Sequence, residues 1–253
     1  MPHIINDNLK INYESVGYGE PLVMLHPNGH CIKDWYTLGY VEQLEKHFQL
    51  ILIDSRGFGD SDKPHDSSYY HPQLIANDAI AVLDFLGIEK AHCFGYSMGG
   101  RHAFGLMRYY PNRFKSFIIG GAHPYANNEL LHSYTRLLQQ GLPRVVEVFE
   151  INFGPFPPAI KDNFLKNELK ALLAINSLPL VDFTATLANY TESVSFIVGG
   201  KDPILKYVQR AQGSKEGTKI SIVPNNNHMQ LFFTARVIAE ILIDFISSQS
   251  ALS

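Results

Sequence analysis

The stretch "AHCFGYSMGGRHAF", residues 91–104, decides the fold. An apolar run gives way here to a pattern with helical spacing, and four small residues gather at the junction: Gly95, Ser97, Gly99 and Gly100. Glycine permits tight turns and close approach of backbone segments, but it weakens both strands and helices. So many small residues at one junction therefore indicate that the chain needs a particular backbone geometry there.

The central part of that stretch, "GYSMG", fits the pattern G-x-S-x-G at a predicted strand-to-helix junction. In this context the serine sits on a sharp, strained turn that exposes its hydroxyl above a parallel sheet. The first N–H groups of the following helix can then bind a developing oxyanion. The pattern predicts Ser97 as the nucleophile and the Met98 amide as one oxyanion donor, the alternative being that Ser97 only caps the helix.

A serine hydroxyl needs a base to take its proton, and the base needs an acid to orient it. "FIVGGKDP" ends an apolar run with Asp202, and "SIVPNNNHMQ" places His228 after the next such run. The order Ser97, Asp202, His228 is the α/β-hydrolase order. Two alternatives stay open: Asp202 could cap a helix opened by Pro203, and His228 could be a surface loop residue.

An oxyanion hole needs a second donor besides the Met98 amide. The loop "HPNGH" (26–30) follows a short apolar run and is the candidate. Pro27 has no N–H to contribute. The backbone N–H of Asn28 is therefore the best placed, with Gly29 second.

Apolar runs and helical patterns alternate along most of the chain, which predicts an α/β fold with a mostly parallel sheet flanked by helices. The alternation fails between about Pro124 and Asn189, where several helices are expected in a segment rich in Phe and Leu. This predicts a core domain formed by residues 1–123 and 191–253. Residues 124–190 are expected to form a helical cap inserted after the sixth strand, the alternative being a peripheral excursion.

These motifs resemble the α/β-hydrolase superfamily, and within it the cap-bearing serine esterase-like branch. The motifs that carry the resemblance are "HPNG" (26–29), "DSRGFGDSD" (54–62), "GYSMGG" (95–100), "VGGKDP" (198–203) and "NNNH" (225–228). The resemblance implies that Asn28 is an oxyanion donor and that Asp54 braces a loop. Pro27 and Asn227 stand where glycines are usual, and "IIGGAHP" (118–124) has no acid, which favours Asp202.

Composition and charge exclude several classes of function. With 45% hydrophobic and 18% charged residues and a formal net charge of −3, the chain offers no basic surface for nucleic acid or an anionic membrane. No apolar run approaches the roughly 18 residues of a membrane span, and the N-terminal stretch does not resemble a secretion signal. Two cysteines are too few for a disulfide framework, so a cytoplasmic protein is expected. No metal site or cofactor is implied, and a homodimer is possible.

The predicted function is a serine hydrolase, first a carboxylesterase for small to medium esters that acts through an acyl-enzyme on Ser97. A lactonase, C–C bond hydrolase, perhydrolase or amidase could use the same triad, and a slow-turnover ligand-binding receptor of the same fold is a remote alternative. The residues expected near the substrate pocket are Trp35, Tyr96, His123, Phe149 and Phe153. Tyr96 could instead pack under the turn, and the phenylalanines could belong to the core of the cap.

Overall fold

A computed structural model of the protein describes residues 2–250. Its centre is an eight-stranded sheet in the order β1-β2-β4-β3-β5-β6-β7-β8. The strands are β1 His3–Asn6, β2 Leu9–Val16, β3 Glu20–Leu25, β4 Phe48–Ile53, β5 Ala91–Tyr96, β6 Phe114–Gly120, β7 Ser193–Gly199 and β8 Lys219–Val223. Strand β2 pairs antiparallel with β1 and β4, and all other neighbours are parallel. The predicted mostly parallel α/β sheet is confirmed.

Helices cover both faces of this sheet. They are α1 Ile32–Thr37, α2 Tyr40–Leu44, α3 Pro72–Phe85, α4 Met98–Tyr109, α5 Asn128–Leu138, α6 Leu142–Phe153, α7 Pro158–Leu165, α8 Leu169–Ile175, α9 Thr184–Asn189, α10 Leu205–Gln212, α11 His228–Phe232 and α12 Ala235–Ser250, with 3₁₀ helices at Ser67–Tyr70 and Pro111–Arg113. Apolar side chains of α3 and α4 form one core with the sheet, and those of α1, α2 and α12 form another. No helix within residues 2–250 combines the length and the apolar character needed to cross a membrane.

Five helices, α5 to α9, lie between β6 and β7, where the sequence predicts a helical insertion. Helices α5 to α8 share an apolar cluster that also contains Met98 and Met229. Helix α9 instead packs on the sheet, since Phe183 and Leu187 belong to the cluster of α3 and α4. The division into a core and a cap domain stays a prediction, and its outermost positions, 1 and 251–253, lie outside the described residues.

One helix expected from the sequence is interrupted. The stretch "DWYTLGYVEQLEKH" (34–47) taken alone predicts one helix, but the structure has the separate helices α1 and α2. Gly39 lies between them with a φ of 85°, in the left-handed region that glycine adopts without a steric penalty. The break turns the chain so that Trp35 and Tyr40 contact each other edge to face, with ring centroids 4.8 Å apart.

A buried histidine at the start of β5 predicts how stability depends on pH. His92 is only 2% exposed, and its Nδ1 lies 2.7 Å from Ser116 Oγ. Burial lowers the pKa of His92 from 6.5 to about 4. Between pH 6.5 and about 4, His92 is therefore protonated in the unfolded chain but remains neutral in the folded chain. The free energy of unfolding should fall as pH drops from 6.5 towards 4.

Urea unfolding at a series of pH values from 7.5 to 4.5 measures this effect. The H92Q variant keeps a polar partner for Ser116, but glutamine does not titrate. Its free energy of unfolding should therefore fall less over that pH range than that of wild type. His47 is exposed, and the H47Q control should follow wild type. Equal slopes for H92Q and wild type would show that His92 contributes nothing.

Candidate active site

Ser97 occupies the turn between β5 and α4 in a strained backbone conformation. Its φ of 54° and ψ of −110° lie outside the regions that residues with a Cβ ordinarily adopt. The turn is tied to the next strand, because the Ser97 N–H donates to the Gly120 carbonyl at 2.8 Å. The side chain therefore stands at the carboxyl edge of the sheet, above the first turn of α4.

The glycines around Ser97 are required by close backbone contacts. A Cβ on Gly95 would lie 2.2 Å from the Gly99 carbonyl oxygen. A Cβ on Gly99 would lie 2.0 Å from the carbonyl oxygen of Leu25, at the end of β3. Both distances are far below a van der Waals contact, so helix α4 can begin this close to the sheet only if these positions lack side chains.

His228 lies between Ser97 and Asp202. Its Nε2 is 3.0 Å from Ser97 Oγ, and its Nδ1 is 2.8 Å from Asp202 Oδ2. The Asp202 carboxylate is buried and can only accept, so Nδ1 carries the proton and Nε2 is left free to accept the serine proton. The structure thus brings together the three residues predicted as nucleophile, acid and base, from the ends of β5, β7 and β8.

Contacts on both sides fix the position of the histidine. The Tyr96 hydroxyl donates to the His228 carbonyl at 2.7 Å. Asn227 caps α11 by accepting the Gln230 N–H at 2.9 Å, with a φ of −88°. The left-handed residue of this loop is Asn225, with a φ of 63°, so position 227 makes no demand for glycine.

Asp202 bonds both His228 and the turn that follows it, but it does not cap a helix opened by Pro203. Its Oδ2 accepts from His228, and its Oδ1 accepts the Ile204 N–H at 3.1 Å. Helix α10 begins at Leu205, so Pro203 lies in the preceding turn and does not open the helix. The local hydrogen bond holds the carboxylate in the orientation that reaches the histidine.

The loop before α1 presents a backbone N–H at Asn28. The Pro27 carbonyl accepts from His26 Nδ1 at 2.8 Å and from the His30 N–H at 3.2 Å, while His26 Nε2 accepts the Ser55 N–H. Burial lowers the pKa of His26, which agrees with the neutral ring that these bonds require. A trans peptide points its N–H away from its carbonyl, so the Asn28 N–H faces away from both histidines. No described residue accepts a hydrogen bond from the Asn28 N–H. The Met98 N–H likewise has no acceptor within the first turn of α4.

Two of the residues predicted to lie near the substrate pocket are instead buried in the core. The expectation that Trp35 lines the cavity is wrong, because its side chain is 0% exposed and packs against Tyr40, Phe94 and Phe232 in the core. Tyr96 is also buried, and it supports the turn from below. Trp35 and Tyr96 both lie close to a motif in the sequence, but their side chains belong to the apolar core. Proximity to a motif does not reveal towards which face of an element a side chain points.

The other three predicted pocket residues lie at the carboxyl edge of the sheet or beside it. The ring of His123 is 7% exposed and contacts Tyr125 and Tyr207. Phe149 and Phe153 are half-buried on α6, and the Phe153 carbonyl accepts from Asn227 Nδ2 at 3.0 Å. Helix α6 therefore ends directly beside the loop that carries His228.

Asp54 braces the loop that follows β4, as its resemblance to the family implies. Its carboxylate accepts from Asn12 Nδ2 at 2.8 Å, from the Ile32 N–H at 2.7 Å and from the Asp60 N–H at 2.9 Å. Within residues 2–250, no three His, Cys, Asp or Glu side chains are grouped so that they could hold a metal ion.

Two residues beside Asn28 were missed by the sequence analysis. Asn176 Oδ1 lies 3.2 Å from Asn28 Nδ2, and the Tyr134 hydroxyl lies 3.5 Å from Asn28 Oδ1. Both belong to the helical insertion, more than a hundred positions away along the chain. No motif surrounds either residue, so no signal in the single sequence marks them.

A sequence profile described as the alpha/beta hydrolase fold matches residues 20–178. The chain belongs to this family. A 2-hydroxymuconate semialdehyde hydrolase from a Pseudomonas species is 33% identical over 120 residues, 47% of this chain and 42% of that protein. A pimeloyl-[acyl-carrier protein] methyl ester esterase from Aeromonas salmonicida is 34% identical over 116 residues, 46% of this chain and 43% of that protein.

The matches thus span less than half the length of these curated relatives. The solved structure of an enol-lactonase from Burkholderia xenovorans superposes with a TM-score of 0.87 over 97% of this chain and 100% of that one, at 17% identity. At that identity the likeness shows the shared hydrolase fold. The chain therefore has the alpha/beta hydrolase fold, and its relatives include a semialdehyde hydrolase, a methyl ester esterase and an enol-lactonase.

The close contact at Gly99 gives a direct test of the turn. In G99A the new methyl group would collide with the Leu25 carbonyl, and the free energy of unfolding should fall by about 3 kcal/mol. For a chain of this size that corresponds to a melting temperature lower by roughly 10 °C.

Gly213 offers a matched control, because it has a φ of −70° and a Cβ there would approach nothing closer than 3.7 Å. The melting temperature of G213A, measured by circular dichroism, should stay close to wild type. A G99A protein as stable as G213A would contradict the close packing of α4 on β3.

Proposed function

We propose that this protein is a serine hydrolase that cleaves carboxylic esters of small to medium size through an acyl-enzyme on Ser97. The observation that carries the proposal is the continuous set of hydrogen bonds from Ser97 through His228 to Asp202 on a strained strand-to-helix turn. A structural serine would not need such a turn, and a structural histidine would not need both ring nitrogens engaged in this order.

In the first half of the reaction, Ser97 Oγ attacks the ester carbonyl carbon and its proton passes to His228 Nε2. The carbonyl oxygen becomes an oxyanion, which the N–H groups of Asn28 and Met98 bind. The tetrahedral intermediate then breaks its bond to the alcohol oxygen, and His228 returns the proton to that oxygen. Asp202 stabilises the protonated histidine throughout.

In the second half, a water molecule gives one proton to His228 and attacks the acyl carbonyl carbon. The bond to Ser97 Oγ breaks, the serine regains its proton from His228, and a carboxylic acid leaves. The net reaction consumes one ester and one water and yields one acid and one alcohol. Every step uses groups that the chain itself supplies.

Apolar side chains beside the triad support a neutral substrate with an apolar acyl or alkyl part. Met98 and Met229 follow directly after the serine and the histidine, and both pack with residues of α6. Phe149 and Phe153 stand at the edge of the same cluster with their rings 5.7 Å apart. Half-buried aromatic rings can bind an acyl chain through dispersion and loss of water contact.

A C–C bond hydrolase is the second candidate, favoured by the 33% identity to the 2-hydroxymuconate semialdehyde hydrolase. The same triad could also serve a lactonase, an amidase or a perhydrolase. A receptor of this fold would retain bound ligand with slow turnover. The turnover rate distinguishes the receptor from the enzymes, and the bond cleaved distinguishes the enzymes from one another.

The proposal includes a small-molecule substrate, no metal or organic cofactor, and action in the cytoplasm. Two free thiols, Cys31 and Cys93, support a reducing compartment. Nucleic acid and membrane are not among the proposed partners, and a homodimer is compatible with the mechanism.

Hydrolysis of p-nitrophenyl butyrate by triad variants tests the roles directly. S97A and H228A should lower kcat by about 10⁶-fold, as in triads dissected elsewhere, because each abolishes formation of the attacking alkoxide. D202N should lower kcat by about 10⁴-fold, since the histidine then takes the wrong tautomer. The control variant S133A changes an exposed serine outside the hydrogen bonds of the triad, so it should keep wild-type turnover.

Full activity of D202N would contradict the assignment of the acid. Negligible turnover by folded wild-type protein on every ester, lactone and amide tried would contradict the esterase proposal and favour the C–C bond or receptor alternatives.

A series of p-nitrophenyl esters from acetate to decanoate tests the substrate size. The highest kcat/KM is expected for butyrate or hexanoate if the half-buried rings of Phe149 and Phe153 form the end of the acyl site, as we propose. Replacement of one ring in F153A should shift the optimum to longer chains. Phe85 lies on α3 and is 67% exposed, so F85A should leave the optimum unchanged. An unchanged optimum in F153A would remove that ring from the acyl site.

A further inference from the structure

We propose that Asn176, a residue of the helical insertion, positions the Asn28 oxyanion donor, so that the insertion sets the rate of the reaction. The inference rests on the proposed function, since it assigns a role within that reaction. It concerns residues 28–34, which comprise the loop that carries the predicted donor and the first turn of α1. Helix α7 and the residues on either side of α8 contact this segment at three successive points.

The first contact is the side chain of Asn28 itself. Asn176 ends α8 and is 6% exposed. Its Nδ2 donates to the Leu172 carbonyl at 2.7 Å, which fixes the orientation of the amide and leaves Oδ1 as the acceptor for Asn28 Nδ2 at 3.2 Å. The Asn176 carbonyl accepts from Thr135 Oγ1 at 2.9 Å, so α5 and α8 hold the residue together.

The second contact is at Gly29, whose carbonyl accepts from Asn167 Nδ2 at 2.7 Å. The ring of Phe164 covers the same residue so closely that a Cβ on Gly29 would lie 2.2 Å from Phe164 Cε2. Gly29 has a φ of 80°, so both the backbone conformation and the space favour glycine there.

The third contact is at Asp34. Its Oδ1 accepts from Asn163 Nδ2 at 2.7 Å, and its Oδ2 accepts from His30 Nδ1 at 2.8 Å. His30 in turn donates its backbone N–H to the Pro27 carbonyl, which belongs to the same peptide as the Asn28 N–H. The insertion is thus linked by hydrogen bonds to both ends of the segment that carries the donor.

These contacts have a consequence for catalysis. The core fixes the peptide before Asn28 through His26 and His30, whereas the Asn28 side chain is held by the insertion alone. Loss of the Asn176 amide would leave the Asn28 side chain only the longer 3.5 Å contact with Tyr134, so the Asn28 N–H would lose one of the two anchors, the core and the insertion, that set its position. A donor misplaced by about 1 Å can cost 10²-fold in rate, and loss of a donor costs about 10²–10³-fold. Such a loss would act on the transition state more than on substrate binding.

Kinetics of N176A on p-nitrophenyl butyrate test the inference. The variant should lower kcat by about 10- to 100-fold while KM changes little, because the oxyanion exists only after attack. In N176D an oxygen remains to accept from Asn28 Nδ2, but the bond to the Leu172 carbonyl is lost, so kcat should return only in part. The double variant N28A/N176A should be no slower than N28A, since Asn176 acts through that side chain.

Asn152 provides a matched control in the same insertion. Its Nδ2 donates to the Val148 carbonyl four positions earlier, as Asn176 does to Leu172, but it is exposed and does not touch the loop. N152A should therefore keep wild-type kcat.

The outcomes separate the inference from the proposed function. Wild-type turnover with an unchanged kcat in N176A would overturn the positioning role and leave the esterase intact. Equal losses of kcat in N176A and N152A, or additive losses in N28A/N176A, would mean that the insertion acts only on stability. If N176A does not fold, N28A decides the question, because it removes the same hydrogen bond from the other side, and a kcat equal to that of N152A would overturn the positioning role. Absence of wild-type turnover would instead overturn the proposed function itself.

Discussion

The arrangement of the site depends on how closely the first turn of α4 approaches the sheet. Gly99 lies against the Leu25 carbonyl and Gly95 against the Gly99 carbonyl, at distances that leave no room for a methyl group. This contact forces the chain to turn from strand to helix within one residue, and that residue is Ser97. The strain at Ser97 is stabilised by the packing of two strands and a helix around it, so the proposed nucleophile is part of the fold and not an addition to it.

Parallel strands end at a common edge, and the fold uses that edge to assemble residues that are distant in sequence. His228 lies 131 positions from Ser97 and 26 from Asp202, yet all three meet within hydrogen-bonding distance. The helical insertion covers the same edge. It contacts the loop of His228 through the Phe153 carbonyl and the loop of Asn28 through Asn176, so the core and the insertion both border the candidate site.

Sequence alone predicted those parts of the molecule that depend on local patterns. The alternating apolar runs gave the sheet, and the small residues around Ser97 gave the turn, because steric limits act between near neighbours. The position of Trp35 was not predictable, since it depends on the break at Gly39 and on which face α1 turns to the sheet. Asn176 was not predictable either, because a single amide 148 positions from its partner leaves no periodic or compositional trace.

The central claim is that Ser97 is a nucleophile activated by its surroundings. Peptide mapping by mass spectrometry after treatment with a p-nitrophenyl phosphonate tests it most directly, since the phosphonate reacts covalently with an activated serine and mimics the oxyanion. The account predicts one phosphonyl group per chain, carried by the peptide that contains Ser97, and no labelling after heat denaturation. Unlabelled native protein, or label distributed over other serines, would contradict it.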